Sequence, residues 1–207
     1  MKTVCKSYSI QYPYKVVVIV FVLFLHGKIQ AENRLHPLSV SIMKESWGFP
    51  SSPELKLSPF YPGISTGIYR LRADKKISFP QSAHLGYFYN NSTGSAIYLY
   101  ADQGIHLTLK CGYFQEMSIG MGFFNAFHPG KVYKRNDAGE YVKVTDFGKP
   151  SLMFSLSETI GINLYPTHDI PFAPFIKAQW IVSYPYFETV LPVCPTILLQ
   201  IGSLVYF

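Results

Sequence analysis

Side chains alternate between apolar and polar with a period of two along residues 97–113 of this 207-residue chain. Successive side chains of a β-strand point to opposite faces, so each parity class forms one face of a strand. The odd-numbered face is mostly aliphatic, whereas the even-numbered face includes Tyr98, Tyr100, Asp102 and His106. This alternation predicts a strand that lies between an apolar and a polar environment.

The same alternation recurs in seven further segments, which are bounded by Gly, Pro, Asn or Asp: residues 38–44, 63–72, 81–90, 116–127, 151–164, 175–184 and 196–207. Beyond residue 31, no segment has a persuasive helical period. The pattern predicts an all-β fold, an antiparallel up-and-down transmembrane β-barrel of about eight strands. The barrel must be closed, because an unpaired sheet edge cannot exist in lipid. Glu158 breaks the apolar face of its segment, and we expect a bulge or a strand end there.

The N-terminal segment has the features of a secretory signal peptide. Three lysines precede ten consecutive apolar residues, Val16–Leu25, and the small residue Ala31 follows. Ten apolar residues suit a signal peptide and are short for a spanning helix, which needs ~20. We therefore expect cleavage after Ala31, with residues 1–31 as signal peptide and residues 32–207 as one barrel domain.

The net charge of +6 belongs mainly to the signal peptide, which carries four lysines and no acidic residue. The remainder has 14 basic and 12 acidic residues, too even a balance for phosphate neutralisation, so no nucleic-acid partner is expected. Aromatic residues make up 16% of the chain and charged residues only 14%. Soluble domains carry about 25% charged residues, so this composition favours a wall that faces lipid.

The last segment of the chain carries apolar residues at alternate positions, Leu199, Ile201 and Val205, and ends in Phe207. With the preceding alternation, it resembles the small outer-membrane β-barrel proteins of Gram-negative bacteria over roughly residues 38–207. The resemblance implies location in the bacterial outer membrane, contact with outer-membrane lipid, and recognition of the last strand by the barrel-assembly machinery. It leaves the oligomeric state open.

Some small barrels of that group are enzymes that act on lipopolysaccharide acyl chains, with a Ser nucleophile and a nearby His on the late strands. The final two predicted strands contain no His, so that pattern is not met. The remaining catalytic candidates are Ser82, His84, Asp102 and His106, all on the predicted interior face. A Ser–His–Asp site is defined by geometry, and the alternative is a hydrogen-bonded lumen network.

The sequence contains no metal-ligand spacing and no cofactor-binding fingerprint, so neither a metal nor a cofactor is expected. Cys111 and Cys194 are predicted to lie toward opposite ends of the barrel and to be unpaired.

Three functions stay open at this point. The first is a non-catalytic outer-membrane barrel with a filled lumen and a structural, adhesive or minor transport role. The second is an outer-membrane enzyme, an acyl hydrolase or transferase acting on lipid A acyl chains, with His84 or His106 as base. The third is a secreted soluble β-barrel that binds a small apolar ligand, with its apolar face turned inward.

Overall fold

The computed structural model describes residues 34–46, 61–72, 76–91, 94–136, 139–165, 170–184 and 194–207. The predicted signal peptide and its cleavage after Ala31 lie outside the described residues. No helix in these ranges is long and apolar enough to cross a membrane. The strands of the described ranges are, in chain order, β1 (Arg34–Leu35), β2 (Leu38–Ser46), β3 (Pro62–Arg72), β4 (Ile77–Ser78), β5 (Gln81–Asn90), β6 (Gly94–Thr108), β7 (Tyr113–Phe127), β8 (Val132–Arg135), β9 (Tyr141–Val144), β10 (Lys149–Ile162), β11 (Phe172–Tyr184) and β12 (Cys194–Val205).

Eight of these strands form a closed antiparallel barrel: β2, β3, β5, β6, β7, β10, β11 and β12. Each wall strand pairs with the next wall strand along the chain, and β12 pairs with β2 to close the ring. At the closure, Ile201 lies opposite Ile42 and Gln200 lies opposite Met43. Every wall strand therefore has two hydrogen-bonded neighbours, as a wall in lipid requires. The predicted all-β, eight-stranded up-and-down barrel is confirmed.

The two ends of the barrel differ in their connections. One end, here the terminal end, holds the start of β2, the end of β12 and short connections such as the β6–β7 turn. The opposite end, the loop end, holds the long β7–β10 connection. Cys111 lies in the β6–β7 turn with an exposed free thiol, whereas Cys194 begins β12 at the loop end. The expected separation of the two cysteines is confirmed, and Cys111 is unpaired.

The β6–β7 turn corrects the predicted strand over residues 97–113. β6 ends at Thr108, and a tight turn leads into Tyr113. The amide of Leu109 donates to the carbonyl of Tyr113 at 2.8 Å, and Gly112 adopts a φ of 85°, which glycine tolerates best. The alternation of residues 109–113 therefore spans a turn.

The segment between the predicted strands 116–127 and 151–164 contains a hairpin of its own. β8 and β9 pair antiparallel, with Val132 opposite Val144 and Tyr133 opposite Lys143. At its tip, the amide of Glu140 donates to the side-chain oxygen of Asn136 at 2.8 Å. The charged loop is thus partly an ordered two-stranded element at the loop end.

The wall separates an apolar exterior from a mostly polar interior. Outward-facing side chains are mainly Ile, Leu, Phe and Tyr, as at Ile201, which is 69% exposed. Inward-facing side chains include buried Ser, Thr, Gln, His, Asp, Glu and Lys residues. A soluble barrel that binds an apolar ligand requires the opposite orientation, so that hypothesis is wrong for this barrel. The expectation of a bulge or a strand end at Glu158 is also corrected. β10 runs through this residue without a bulge, and Glu158 stays on the outer face.

The interior is arranged in three layers along the barrel axis. An apolar cluster fills the loop end: Met43, Phe88, Ala96, Tyr98, Tyr100, Phe124, Met153, Ile181 and Leu198. A second fills the terminal end: Tyr69, Phe114, Ala173, Phe175, Leu204 and Tyr206. The charged side chains of Asp102 and Lys177 lie between them, and further buried polar side chains, such as the hydrogen-bonded Glu45 and Asn90 at the loop end, lie outside this middle layer. Eight strands enclose a space that side chains can just fill, and here they fill it.

Candidate functional site

The polar layer is organised around the carboxylate of Asp102 on β6. Ser82 Oγ donates to Asp102 Oδ1, and Ser118 Oγ donates to Asp102 Oδ2 at 3.1 Å. Lys177 Nζ lies 3.8 Å from Asp102 Oδ2 and donates to the Tyr100 hydroxyl at 3.0 Å. Asp102 and Lys177 are 2% and 1% exposed, so this is a buried ion pair with additional hydrogen bonds. Such bonds are what a buried charge requires.

His84 contacts the same group from β5. Its Nε2 lies 3.1 Å from Ser82 Oγ and 3.9 Å from Asp102 Oδ1. The imidazole stacks on the Tyr100 ring at a centroid distance of 4.9 Å and meets the Tyr69 ring edge-on at 5.2 Å. Two tyrosine rings therefore fix the orientation of the imidazole.

The sequence candidates Ser82, His84 and Asp102 thus meet, but not in the order of a catalytic triad. In a triad, the carboxylate binds one ring nitrogen and the serine the other, so that the imidazole relays the proton. Here the Ser82 hydroxyl donates to Asp102 directly, and both groups approach the same nitrogen, Nε2. The other nitrogen, Nδ1, faces Gly67, where an added Cβ would lie 2.3 Å from it.

His106, the fourth candidate, belongs to a separate cluster toward the terminal end. Its Nδ1 lies 2.9 Å from Glu116 Oε2, and its ring stacks on Phe114 with a centroid distance of 4.9 Å. His106 follows Asp102 by four residues on one strand, a separation of about 13 Å at ~3.3 Å per residue. Because His84 lies beside Asp102, His84 and His106 are too far apart to act on one reacting atom.

None of these groups is open to solvent. Ser82, His84, Asp102, His106 and Glu116 are all at most 5% exposed. Within the described ranges, no group of three His, Cys, Asp or Glu side chains could hold a metal ion.

Tyr206 lies just beyond β12. Burial, with a smaller contribution from Glu116, raises the pKa of Tyr206 to about 12, so this phenol stays protonated.

The β8–β9 hairpin offers a second candidate surface. Tyr133, Tyr141 and Lys143 share one face of the hairpin, because Tyr133 lies opposite Lys143 and Tyr141 is two residues from it. All three are exposed, with Tyr141 at 74%. A cleft of about 580 Å³ at the hairpin base is lined by Pro129, Gly130, Lys131, Val132, Lys143, Val144, Thr145 and Asp146.

No strand was predicted between residues 127 and 151, and this hairpin was therefore missed. The alternation of Tyr141-Val-Lys-Val144 after an Asn-Asp-Ala-Gly turn was the signal that could have identified it.

The predicted C-terminal targeting residues lie on the outer face of β12 or directly after it. Leu199, Ile201 and Phe207 are exposed, with Phe207 at 92%, and Val205 is half-buried. Their alternate inward neighbours include the buried Leu198 and Leu204, so the inward face of β12 is less polar than the alternation predicts.

No protein-family model matches the sequence, and no curated protein matches it. Among solved structures, Neisserial surface protein A is similar with a TM-score of 0.52 and 11% identity, over 83% of this chain and 97% of that chain. The attachment invasion locus protein Ail of Yersinia pestis, in complex with the heparin analogue sucrose octasulfate, has a TM-score of 0.49 at 10% identity, over 85% of this chain and 100% of that chain. The Yersinia pestis outer membrane protein Ail in a phospholipid bilayer nanodisc has a TM-score of 0.38 at 14% identity, over 83% and 99% of the two chains.

At 11% identity, the first similarity establishes a shared fold, and the two below a TM-score of 0.5 add nothing to it. The physical observations are independent of it: a closed antiparallel ring of eight strands, an apolar outer wall and a polar interior. That is the architecture with which proteins cross the bacterial outer membrane. The chain has the fold of the small bacterial outer-membrane β-barrel proteins.

Proposed function

We propose that this protein is a non-conducting outer-membrane barrel that acts through its loop end, as an adhesive protein for acidic surfaces. The filled lumen is the observation that carries the proposal. Such a barrel neither conducts solutes nor offers its interior groups to a substrate. Its exposed loops are therefore the surface through which it can bind a partner.

The lumen argues against a transport role. In an open pore, lumen-facing side chains contact water along a continuous path. Here Tyr98 and Gln179 are 0% exposed and Lys177 is 1% exposed, and apolar clusters lie on both sides of the polar layer. A solute would have to displace packed aromatic rings to pass.

The same burial argues against an enzyme that acts on lipid acyl chains. The substrate of such an enzyme lies outside the wall, whereas Ser82 and His84 face inward and are at most 5% exposed. The Ser82 hydroxyl is also engaged by Asp102 directly. These groups are better explained as a hydrogen-bonded network that satisfies the interior.

The hairpin supplies a suitable contact surface. Residues 128–150 carry five basic and three acidic residues, a net charge of +2. On this face, Lys143 neighbours two exposed tyrosines, because Tyr133 is its cross-strand partner and Tyr141 is two residues away along β9. An ammonium attracts sulfate, phosphate or carboxylate groups, and a tyrosine ring offers apolar area with a polar tip.

The test uses whole bacteria that display the protein, applied to beads coated with dextran sulfate or with neutral dextran. We expect several-fold greater retention on dextran sulfate, and Lys143→Glu should remove most of that difference. The matched control, Lys110→Glu, changes an exposed lysine in the terminal-end turn and should retain it. Equal retention on both coatings would refute the adhesive role.

Two further measurements separate the alternatives. A steady ohmic conductance of the purified protein in planar bilayers would contradict the closed lumen. A change in lipid A acylation, measured by mass spectrometry, that depends on His84 or His106 in His→Ala variants would establish the enzyme instead.

A further inference from the structure

Glu158 is an ionisable residue on the lipid-facing side of the wall. β10 pairs with both neighbours through this position, with Glu158 opposite Met117 on β7 and Ala178 on β11. Leu156 and Ile160, the outward residues on either side along β10, are 46% and 42% exposed. The carboxylate therefore interrupts an otherwise apolar column.

The position of Glu158 along the strand places it inside the hydrocarbon layer. It precedes Ile162, the last residue of β10, by four residues. With a rise of ~3.3 Å per residue and a strand tilt of ~40°, it lies about 10 Å inside the terminal edge of the wall. The apolar band of such barrels is ~25 Å tall, so the carboxyl group lies well within it. Ionisable groups at such depths are costly and usually serve a function.

Gln115 on β7 is the partner of Glu158 within the described residues, donating from Nε2 to Glu158 Oε1 at 2.9 Å. A carboxylate has a second oxygen, and an amide has a second N–H and a carbonyl oxygen. The pair thus offers both donors and acceptors outward. Exposed apolar side chains lie around it, Met117, Ile119 and Ile176, and the small side chain of Ala178 lies opposite Glu158 on the next strand.

We propose that this surface, the Glu158 patch, joins two copies of the chain side by side in the membrane. The patch comprises Gln115, Met117, Ile119, Glu158, Ile176 and Ala178. Gln115 of each copy donates to Glu158 of the other about a two-fold axis along the membrane normal. A lipid acyl chain offers no donor to the carboxylate, so lipid cannot satisfy it.

A second copy fits this patch better than an unrelated partner. Two copies inserted in the same orientation carry Glu158 at the same depth, so their polar groups align without adjustment. The patch is self-complementary because it contains both a donor and an acceptor, as a two-fold interface requires. The proposal needs only the fold and the lipid-facing wall, so it does not depend on the adhesive role.

Cysteine cross-linking in bacterial membranes tests this arrangement, in a Cys111→Ser/Cys194→Ser background. Met117→Cys places a thiol at the centre of the patch, and Ile42→Cys places one on the distant part of the wall, where β2 pairs with β12. We expect several-fold more disulfide-linked dimer from Met117→Cys than from Ile42→Cys.

Variants of the polar pair decide whether that pair drives association. In the Met117→Cys background, Glu158→Leu and Gln115→Leu should each remove the cross-link, whereas Glu158→Gln, which keeps hydrogen-bonding capacity, should retain it. The heat-dependent migration of folded barrels in gels verifies folding, and Gln115→Leu decides the matter if Glu158→Leu does not fold. Equal cross-linking at both positions, or a cross-link unchanged by these Leu variants, would overturn the proposal.

Discussion

The buried ion pair between Lys177 and Asp102 predicts a large loss of stability when its cation is removed. In Lys177→Met, a side chain of similar length replaces the ammonium, and the buried Asp102 carboxyl group loses its counter-ion. At the observed 3.8 Å, and with an effective dielectric constant of ~20, the attraction lost is about 4 kcal/mol. Ser82 and Ser118 still donate to the carboxylate, so the barrel should fold but be weakened by about 3–4 kcal/mol.

The loss can be measured by equilibrium unfolding in urea of the protein reconstituted in phospholipid vesicles. Trp180 faces lipid on β11, so its fluorescence reports whether the wall is inserted. A double-mutant cycle isolates the pair: adding Asp102→Asn to Lys177→Met removes the uncompensated charge. The cycle should give a coupling free energy of at least about 2 kcal/mol.

The control is Lys143→Met, which removes an exposed lysine of the β8–β9 hairpin and should change the unfolding free energy by less than about 0.5 kcal/mol. The electrostatic reasoning is wrong if Lys177→Met costs less than about 1 kcal/mol. It is equally wrong if Asp102→Asn lowers the stability of the Lys177→Met protein further.

Three other substitutions test separate parts of the structure. Gly86→Ala should lower the unfolding free energy by about 1–3 kcal/mol, because the new Cβ would lie 2.2 Å from the Tyr98 ring; a neutral effect would mean the lumen packs loosely. Glu158→Leu should raise the unfolding free energy of the monomer in detergent by about 1 kcal/mol, and a decrease would place Glu158 outside the apolar band. Phe207→Ala should reduce the folded, heat-modifiable fraction in cells several-fold. It should change the unfolding free energy in vesicles by under about 1 kcal/mol, because this side chain is 92% exposed. Unchanged assembly would exclude its targeting role.

Period-two alternation was sufficient to predict the barrel wall. The parity of Tyr98, Tyr100, Asp102 and His106 predicted their inward orientation, and all four are at most 3% exposed. Strand parity is a local property, and only a closed ring satisfies eight such segments in lipid, so the global fold follows from it.

The errors arose where the alternation continues through a turn or is overridden by strand pairing. Residues 109–113 alternate like a strand, yet the chain reverses at Gly112. A bulge or a strand end was expected at Glu158, but β10 continues through it in unbroken pairing, with the acid on the outer face and hydrogen-bonded to Gln115. Neither the partner across the strand nor the register can be read from one segment alone.

The candidate site was predictable as a set of residues but not as an arrangement. Ser82, His84 and Asp102 share an inward parity, and the β5–β6 register places Ser82 opposite Asp102. The direct Ser82–Asp102 bond, the orientation of His84 Nδ1 toward Gly67, and the separate pairing of His106 with Glu116 depend on side-chain rotamers. Those rotamers are set by neighbours on other strands, above all by the rings of Tyr69 and Tyr100.

The charged layer at mid-height also bears on how the wall finds its correct pairing. A slip of one residue between two strands turns every side chain of the slipped strand to the opposite face. For β6 and β11, that error would move Asp102 or Lys177 into hydrocarbon and draw Leu99 or Ile176 into the lumen. If the interior residues were only small or apolar, the same one-residue slip would cost less free energy. The Asp102–Lys177 pair therefore encodes strand register, because a misaligned barrel would carry an unpaired charge in the lipid.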